Sequence, residues 1–146
     1  MKKSRQGSFL ISKVHQFSDR ILNRLLKNHG VREINPAQGR IMFALWRCGR
    51  IPISELARET SLGKSTLTSM LDRLESAGLI KRVRSKDDRR QIFIERTEKD
   101  KAFQDLYVGV SQGMSRILYN GFSANEIDSF ESYLGRIYKN LERFKP

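Results

Sequence analysis

The stretch on which the fold turns is Ile53-Ser54-Glu55-Leu56-Ala57-Arg58-Glu59-Thr60-Ser61-Leu62-Gly63-Lys64-Ser65-Thr66-Leu67-Thr68-Ser69-Met70-Leu71-Asp72-Arg73-Leu74-Glu75-Ser76-Ala77-Gly78. Its first eight residues are a short amphipathic piece, Ser61-Leu62-Gly63 interrupts it, and a longer helical pattern runs from Lys64 to Ala77 until Gly78 ends it. Two short helices separated by three residues, with a glycine in the turn, match a helix-turn-helix. In the second helix Leu67, Leu71 and Leu74 recur at steps of three and four and are the expected core. At about 100° per residue, Ser65, Thr68, Ser69 and Asp72 fall largely on the opposite face. Side chains that short can enter a groove without steric conflict.

Downstream, Leu79–Arg84 and Gln91–Arg96 are rich in Ile, Val and Phe, and the polar Ser85–Arg90 separates them. They predict two antiparallel strands with a six-residue tip. Lys81, Arg82, Arg84, Lys86, Arg89 and Arg90 are six cations in ten residues, opposed by Asp87 and Asp88. Such a hairpin can be a solvated edge that resists further pairing. Directly behind a helix-turn-helix it reads better as a basic wing.

The flanks are helical. From about Ser8 to His29, Leu10, Val14, Phe17, Ile21 and Leu25 recur at helical spacing, and Gly30 follows as a left-handed stop. Asn35-Pro36 reads as an N-cap with proline at the first helical position. Ala37, Ile41, Ala44, Leu45 and Cys48 line the next helix until Gly49. Beyond the hairpin, Thr97 can cap a helix carrying Leu106, Val110, Met114, Ile117 and Leu118. Ser123 and Glu126 form an S-x-x-E capping box for a last helix, in which Ile127, Phe130, Leu134, Ile137 and Leu141 make a heptad-like seam. The fold class is therefore mainly α with a small β-hairpin. Both ends of the chain carry apolar stripes without an obvious partner, and pairing with a second copy is the economical way to cover them.

Composition narrows the function. The chain has 146 residues, 38% of them hydrophobic, and a net charge of +12. A chain of that size can bury roughly 70% of its unfolded surface without disulfides or metals. Residues 1–35 hold eight basic and two acidic side chains, residues 36–97 thirteen and seven, and residues 98–146 seven of each. The surplus thus sits on the first two thirds, which favours a polyanionic partner. An acidic membrane surface fits less well, because no basic amphipathic helix stands alone. No apolar run approaches the roughly 20 residues of a membrane span. The basic start Met1-Lys2-Lys3-Ser4-Arg5 is followed by charges at Lys13, Asp19 and Arg20 rather than by a signal-sequence core, so a cytoplasmic protein is expected.

In this order of elements the sequence resembles the MarR family of transcription factors, and the resemblance covers nearly the whole chain. Its most specific part is the wing pattern D-x-R, then hydrophobic strand positions and a threonine, here Asp88-Arg89-Arg90-Gln91-Ile92-Phe93-Ile94-Glu95-Arg96-Thr97. The usual leucine before that threonine is replaced by Arg96. Leu56-Ala57 and Leu71-Asp72-Arg73-Leu74-Glu75-Ser76-Ala77-Gly78-Leu79-Ile80 are further matches.

The resemblance implies one domain over residues 1–146, with a winged helix-turn-helix lobe at 36–97 and a helical dimerisation region from 1–35 and 98–146. It implies a homodimer on a palindromic duplex operator, and a repressor released by a small aromatic or phenolic effector. Lys64, Ser65, Thr66, Thr68 and Ser69 of the recognition helix, 64–77, would face the major groove. At the wing, 85–90, Arg90 would enter the minor groove, oriented by Asp88, with Arg84, Lys86 and Arg89 nearby. Arg73 would lie near the DNA backbone, or else pair with Asp72 or Glu75. Hydroxyls suit phosphates and either kind of base edge, and arginine is drawn to a narrow minor groove.

The remaining candidates read as structural. Cys48, the single cysteine, lies on an apolar stripe and is expected in the core; redox sensors of the family carry theirs in the first helix, which here has none. His15 and His29 are fourteen residues apart without a supporting ligand cluster, so no metal is expected. Trp46, Tyr107 and Phe17 read first as core, with an effector pocket as the alternative. No glycine-rich phosphate loop, H-E-x-x-H or G-x-S-x-G is present, so neither enzyme nor cofactor is expected. A winged-helix module of a methyltransferase-like enzyme would need a further cofactor domain, for which this length leaves no room. A non-specific architectural or RNA-binding protein remains the alternative.

Overall fold

The computed structural model describes residues 3–144; Met1, Lys2, Lys145 and Pro146 lie outside the described residues. The element order is α1 (Gly7–Asn28), α2 (Pro36–Cys48), β1 (Ile51–Pro52), α3 (Ile53–Thr60), α4 (Lys64–Ser76), β2 (Ile80–Arg84), β3 (Ile92–Arg96), α5 (Glu98–Leu118) and α6 (Ala124–Glu142). The chain falls into two compact units, 1–112 and 113–146. Among the described residues, no helix is long and apolar enough to cross a membrane.

In the first unit, α1 ends where Gly30 takes φ +77° and the Val31 N–H donates to the Leu26 carbonyl at 2.8 Å. That turn drives Leu26 into the core, whereas Leu10, Val14 and Phe17 stay exposed. Asn35 caps α2 as expected, and the box is reciprocal: the Gln38 N–H donates to Asn35 Oδ1 and the Asn35 N–H to Gln38 Oε1, both at 2.9 Å. Ile41, Met42 and Leu45 of α2 are fully buried. Cys48, expected in the core, is exposed instead. It is the last residue of α2, next to the turn at Gly49 (φ +72°), whereas Leu45 one turn earlier is fully buried.

The sheet has three strands in the order β1-β3-β2, one more than the hairpin expected from sequence. Ile51 of β1 faces Ile94 of β3, which also pairs with Arg82 of β2. A two-residue strand has no hydrophobic period to read, and Pro52 cannot donate to a ladder, which fits its place on an edge. Leu56, Leu67, Leu71, Leu74, Leu79 and Ile94 close one core around the sheet. Burying each such side chain stabilises by about 1.5–3 kcal/mol. The helix-turn-helix leucines are thus where the sequence pattern put them.

Thr97 caps α5 and ties it to the turn before the wing. Its Oγ1 accepts from the Asp100 N–H at 3.1 Å and donates to the Gly78 carbonyl at 2.7 Å. Along the part of α5 in this unit, the buried residues are Asp100, Tyr107 and Val110, while Leu106 of the expected stripe is exposed. Tyr107 packs edge-on to Trp46, with ring centroids 5.3 Å apart.

The second unit holds the end of α5 and α6. Ser123 and Glu126 form the capping box the sequence announces, with the Ser123 N–H donating to Glu126 Oε1 at 2.9 Å. Tyr119 meets Phe122 and Phe130 edge-on, and its hydroxyl donates to Glu131 at 2.9 Å. No residue of α6 is buried, and Phe130, Leu134, Ile137 and Leu141 are all exposed.

Candidate nucleic-acid interface

The turn between α3 and α4 is made by Ser61, at φ 56°, and not by the glycine. Gly63, at φ −66°, is the N-cap of α4, and no side chain caps that end. The first N–H groups of α4 therefore point outward unclaimed by a capping side chain, with no acidic residue in the first turn to oppose an anion. Leu67, Leu71 and Leu74 anchor the helix on its inner side. Lys64, Ser65, Thr66, Thr68 and Ser69 are all exposed. The Thr68 hydroxyl donates to the Lys64 carbonyl at 2.9 Å, so toward a partner its oxygen is an acceptor.

The wing is pinned at its base. Asp72 of α4 pairs with the Arg82 guanidinium, and Glu75 accepts from the Arg82 N–H at 3.1 Å. Both carboxylates thus go to Arg82, and among the described residues neither forms an ion pair with Arg73, which had been the alternative for that side chain. Arg50 stacks 3.8 Å from the Phe93 ring centroid and donates to Glu95 at 2.7 Å; Lys81 lies 3.9 Å from the same carboxylate. Two of the six hairpin cations, Lys81 and Arg82, are therefore engaged structurally. Lys86, Arg89 and Arg90 stand exposed at the tip, and Arg84 reaches back to the Arg89 carbonyl at 3.4 Å.

Ser85 organises that tip. It is buried, and its Oγ accepts from the N–H groups of Asp87 and Asp88 at 3.2 Å each. Asp88 Oδ1 accepts from the backbone N–H of Arg90 at 3.0 Å. Asp88 thus fixes the backbone under Arg90, an Asx-type turn, and leaves the guanidinium to reach outward. Ser85 escaped the sequence reading, although a serine two and three residues before two aspartates is a recognisable turn signal.

Lys64 and Thr68 of α4 line one groove of about 750 Å³ together with Asp88 and Arg90 of the wing. Ser65 and Ser69 lie beside it on the open face of α4 with Asp72. Arg73 is not part of this groove; it lines a second cleft, with Lys27 and Arg32. Trp46 and Tyr107 are filled in against each other, Trp46 Nε1 donating to Asp100 at 2.8 Å, whereas Phe17 is exposed.

The sequence model of the MarR family matches residues 34–92. The HTH-type transcriptional regulator PecS of Dickeya dadantii is 30% identical over 134 residues, covering 90% of this chain and 79% of the relative. The HTH-type transcriptional repressor YetL of Bacillus subtilis is 33% identical over 97 residues, covering 66% of this chain and 58% of the relative. A cysteine-to-serine mutant of E. coli MarR, solved in complex with operator DNA, superposes with a TM-score of 0.79 at 28% identity, over 89% of this chain and 91% of that one.

Proposed function

The chain belongs to the MarR family of transcriptional regulators, and from that premise we propose that it is a sequence-specific repressor that binds a palindromic duplex operator as a homodimer in the cytoplasm. The observation that carries this reading is the groove lined by Lys64 and Thr68 of α4 and by Asp88 and Arg90 of the wing. It joins an uncapped helix start, exposed hydroxyls and a cationic tip into one concave face. Ser65, Thr66 and Ser69 read base edges in the major groove, Arg90 inserts in the minor groove, and Arg84, Lys86 and Arg89 hold phosphates.

The second copy covers the exposed apolar seams of α1 and α6, which would otherwise present more hydrophobic surface than a monomer tolerates. A small aromatic or phenolic effector releases the complex from the duplex. The repressor YetL supports the negative sign of regulation.

The experiment is a genomic binding selection followed by titration on the recovered duplex and on a scrambled one. Affinity for the recovered duplex should exceed that for the scrambled one by orders of magnitude. Its half-sites should lie about one helical turn apart. With roughly eight phosphate contacts, the log–log salt slope should be about −7. Equal affinity for both duplexes would establish the alternative, a non-specific architectural protein.

A further inference from the structure

The cleft that Arg73 lines has no part in the reading above. It lies between the last turn of α1, the 29–35 connection and α4, and has a volume of about 550 Å³. Three cations line it: Lys27 from α1, Arg32 from the connection and Arg73 from α4. All three are exposed, and among the described residues none forms an ion pair. Glu33 is the one carboxylate in the lining; its Oε2 accepts from the Arg32 backbone N–H at 3.1 Å, and its single negative charge leaves the three cations in excess. The floor is Val31 and Ile34, both buried. Two fixed features hold it, the glycine turn after α1 and the Asn35–Gln38 capping box.

Its position on α4 says what such a cleft meets. Arg73 is eight residues beyond Ser65, hence about 12 Å farther along the helix axis at 1.5 Å per residue. The major groove is about 12 Å wide and walled by phosphates. A helix whose first turns lie among the base edges therefore brings a residue at that distance to the wall. Counting round the helix, Arg73 sits within about 40° of Ser69, on the same side as the groove-facing residues.

We propose that the cleft of Lys27, Arg32 and Arg73 is a site for the phosphodiester backbone, a second and sequence-independent clamp on duplex DNA that joins the last turn of the recognition helix to α1 and the connection after it, away from the wing. It rests on the DNA-binding reading above. Lys27 and Arg32 are its new members, and they extend the footprint onto α1 and the connection after it. Successive phosphates of one strand meet the three cations, and each phosphate so neutralised releases the counterion condensed on it.

The test uses the full chain, a labelled random-sequence duplex of about 30 bp, and a KCl titration. Lys27→Gln and Arg32→Gln should each reduce the salt slope by about 0.9 per lobe on the duplex, or about 1.8 for a dimer with both lobes engaged. A fourfold rise in KCl should then weaken each variant about 12-fold less than it weakens the unaltered protein. Lys27→Arg should restore the slope, and Lys139→Gln on α6 should leave it unchanged. Unaltered slopes in Lys27→Gln and Arg32→Gln, while Arg89→Ala lowers its own, overturn the clamp and leave the DNA reading standing. A flat slope for the unaltered protein overturns both.

Discussion

The fully buried carboxylate of Asp100 accepts a hydrogen bond from Arg96 Nε at 2.6 Å across the junction of β3 and α5. Its other oxygen accepts from the Trp46 indole at 2.8 Å, so one side chain ties α2, the wing strand and α5 together. This explains why an arginine replaces the usual leucine before Thr97. A buried carboxylate needs a cation, and Arg96 supplies it from four residues away.

Arg96→Leu, which installs the residue usual in the family, should therefore destabilise the protein. It strands a buried charge, at a cost of about 3–5 kcal/mol. In the Arg96→Leu background, Asp100→Asn should recover part of that loss, because the amide oxygen still accepts from Trp46 and no charge remains. Urea midpoints of the four proteins close the cycle, and the two changes should couple by more than about 1 kcal/mol. Additive effects would mean that Arg96 does not compensate Asp100.

Much of this fold was legible in the sequence because its signals are local. Asn35-Pro36, the Ser123–Glu126 box, the terminating Gly30 and Gly78, and the leucine spacing of α4 each act within one or two helical turns. What escaped depends on partners far along the chain. β1 exists because Ile51 finds Ile94, and Arg82 is drawn from the wing's free cations by Asp72. Cys48 was misplaced because helical spacing gives a face but not the point where the opposing core stops. The candidate site residues could be named from the sequence; that Lys64, Thr68, Asp88 and Arg90 share a groove, and that Arg73 does not join them, depends on how the hairpin folds back.

At the wing tip, the two arginines should differ in kind. Arg90→Ala should cost about 1–3 kcal/mol on the selected operator and relax preference for flanking A·T pairs. Arg89→Ala should weaken all duplexes nearly evenly and lower the salt slope by about 0.9 per wing. Asp88→Ala and Ser85→Ala should resemble a milder Arg90→Ala, since both release the backbone beneath that residue while keeping its charge. Titrations on operator and scrambled duplex at two salt concentrations separate these outcomes. An Arg90→Ala protein with unaltered binding to both would reduce the hairpin to a solvated edge.

The seam of α6 should be a dimer contact. Leu134 and Ile137 are 37% and 40% exposed within one chain, too much for core residues at heptad-like spacing. An obligate interface that covers them should bury more than about 2,000 Å². Leu134→Glu or Ile137→Glu places a charge in that interface and should yield monomers at micromolar concentration by sedimentation. A monomeric unaltered protein under the same conditions would remove the dimer from the proposal.

Tyr107 joins packing to pH. Burial pushes its phenol above the ordinary value near 10; the neighbouring Arg40 opposes the rise and Asp19 adds to it. The unfolded chain therefore gives up this proton first as pH rises. Stability from the neutral phenol is complete below about pH 10 and is lost as pH climbs through the higher folded value. Tyr107→Phe should remove that part of the alkaline decline, measured as the difference between the two proteins' melting temperatures across the alkaline range. The same ring lies against Gly39, where an added Cβ would fall on the Tyr107 hydroxyl and within 2.7 Å of the carbon that bears it. Gly39→Ala should thus destabilise by about 1–3 kcal/mol through overpacking between α2 and α5. Combining it with Tyr107→Phe should return only part of that loss, because the ring carbon stays in place when the hydroxyl goes. Full recovery in the double variant would mean that the oxygen alone sets the closeness of the two helices, and no recovery would mean that Tyr107 is not what the Cβ meets.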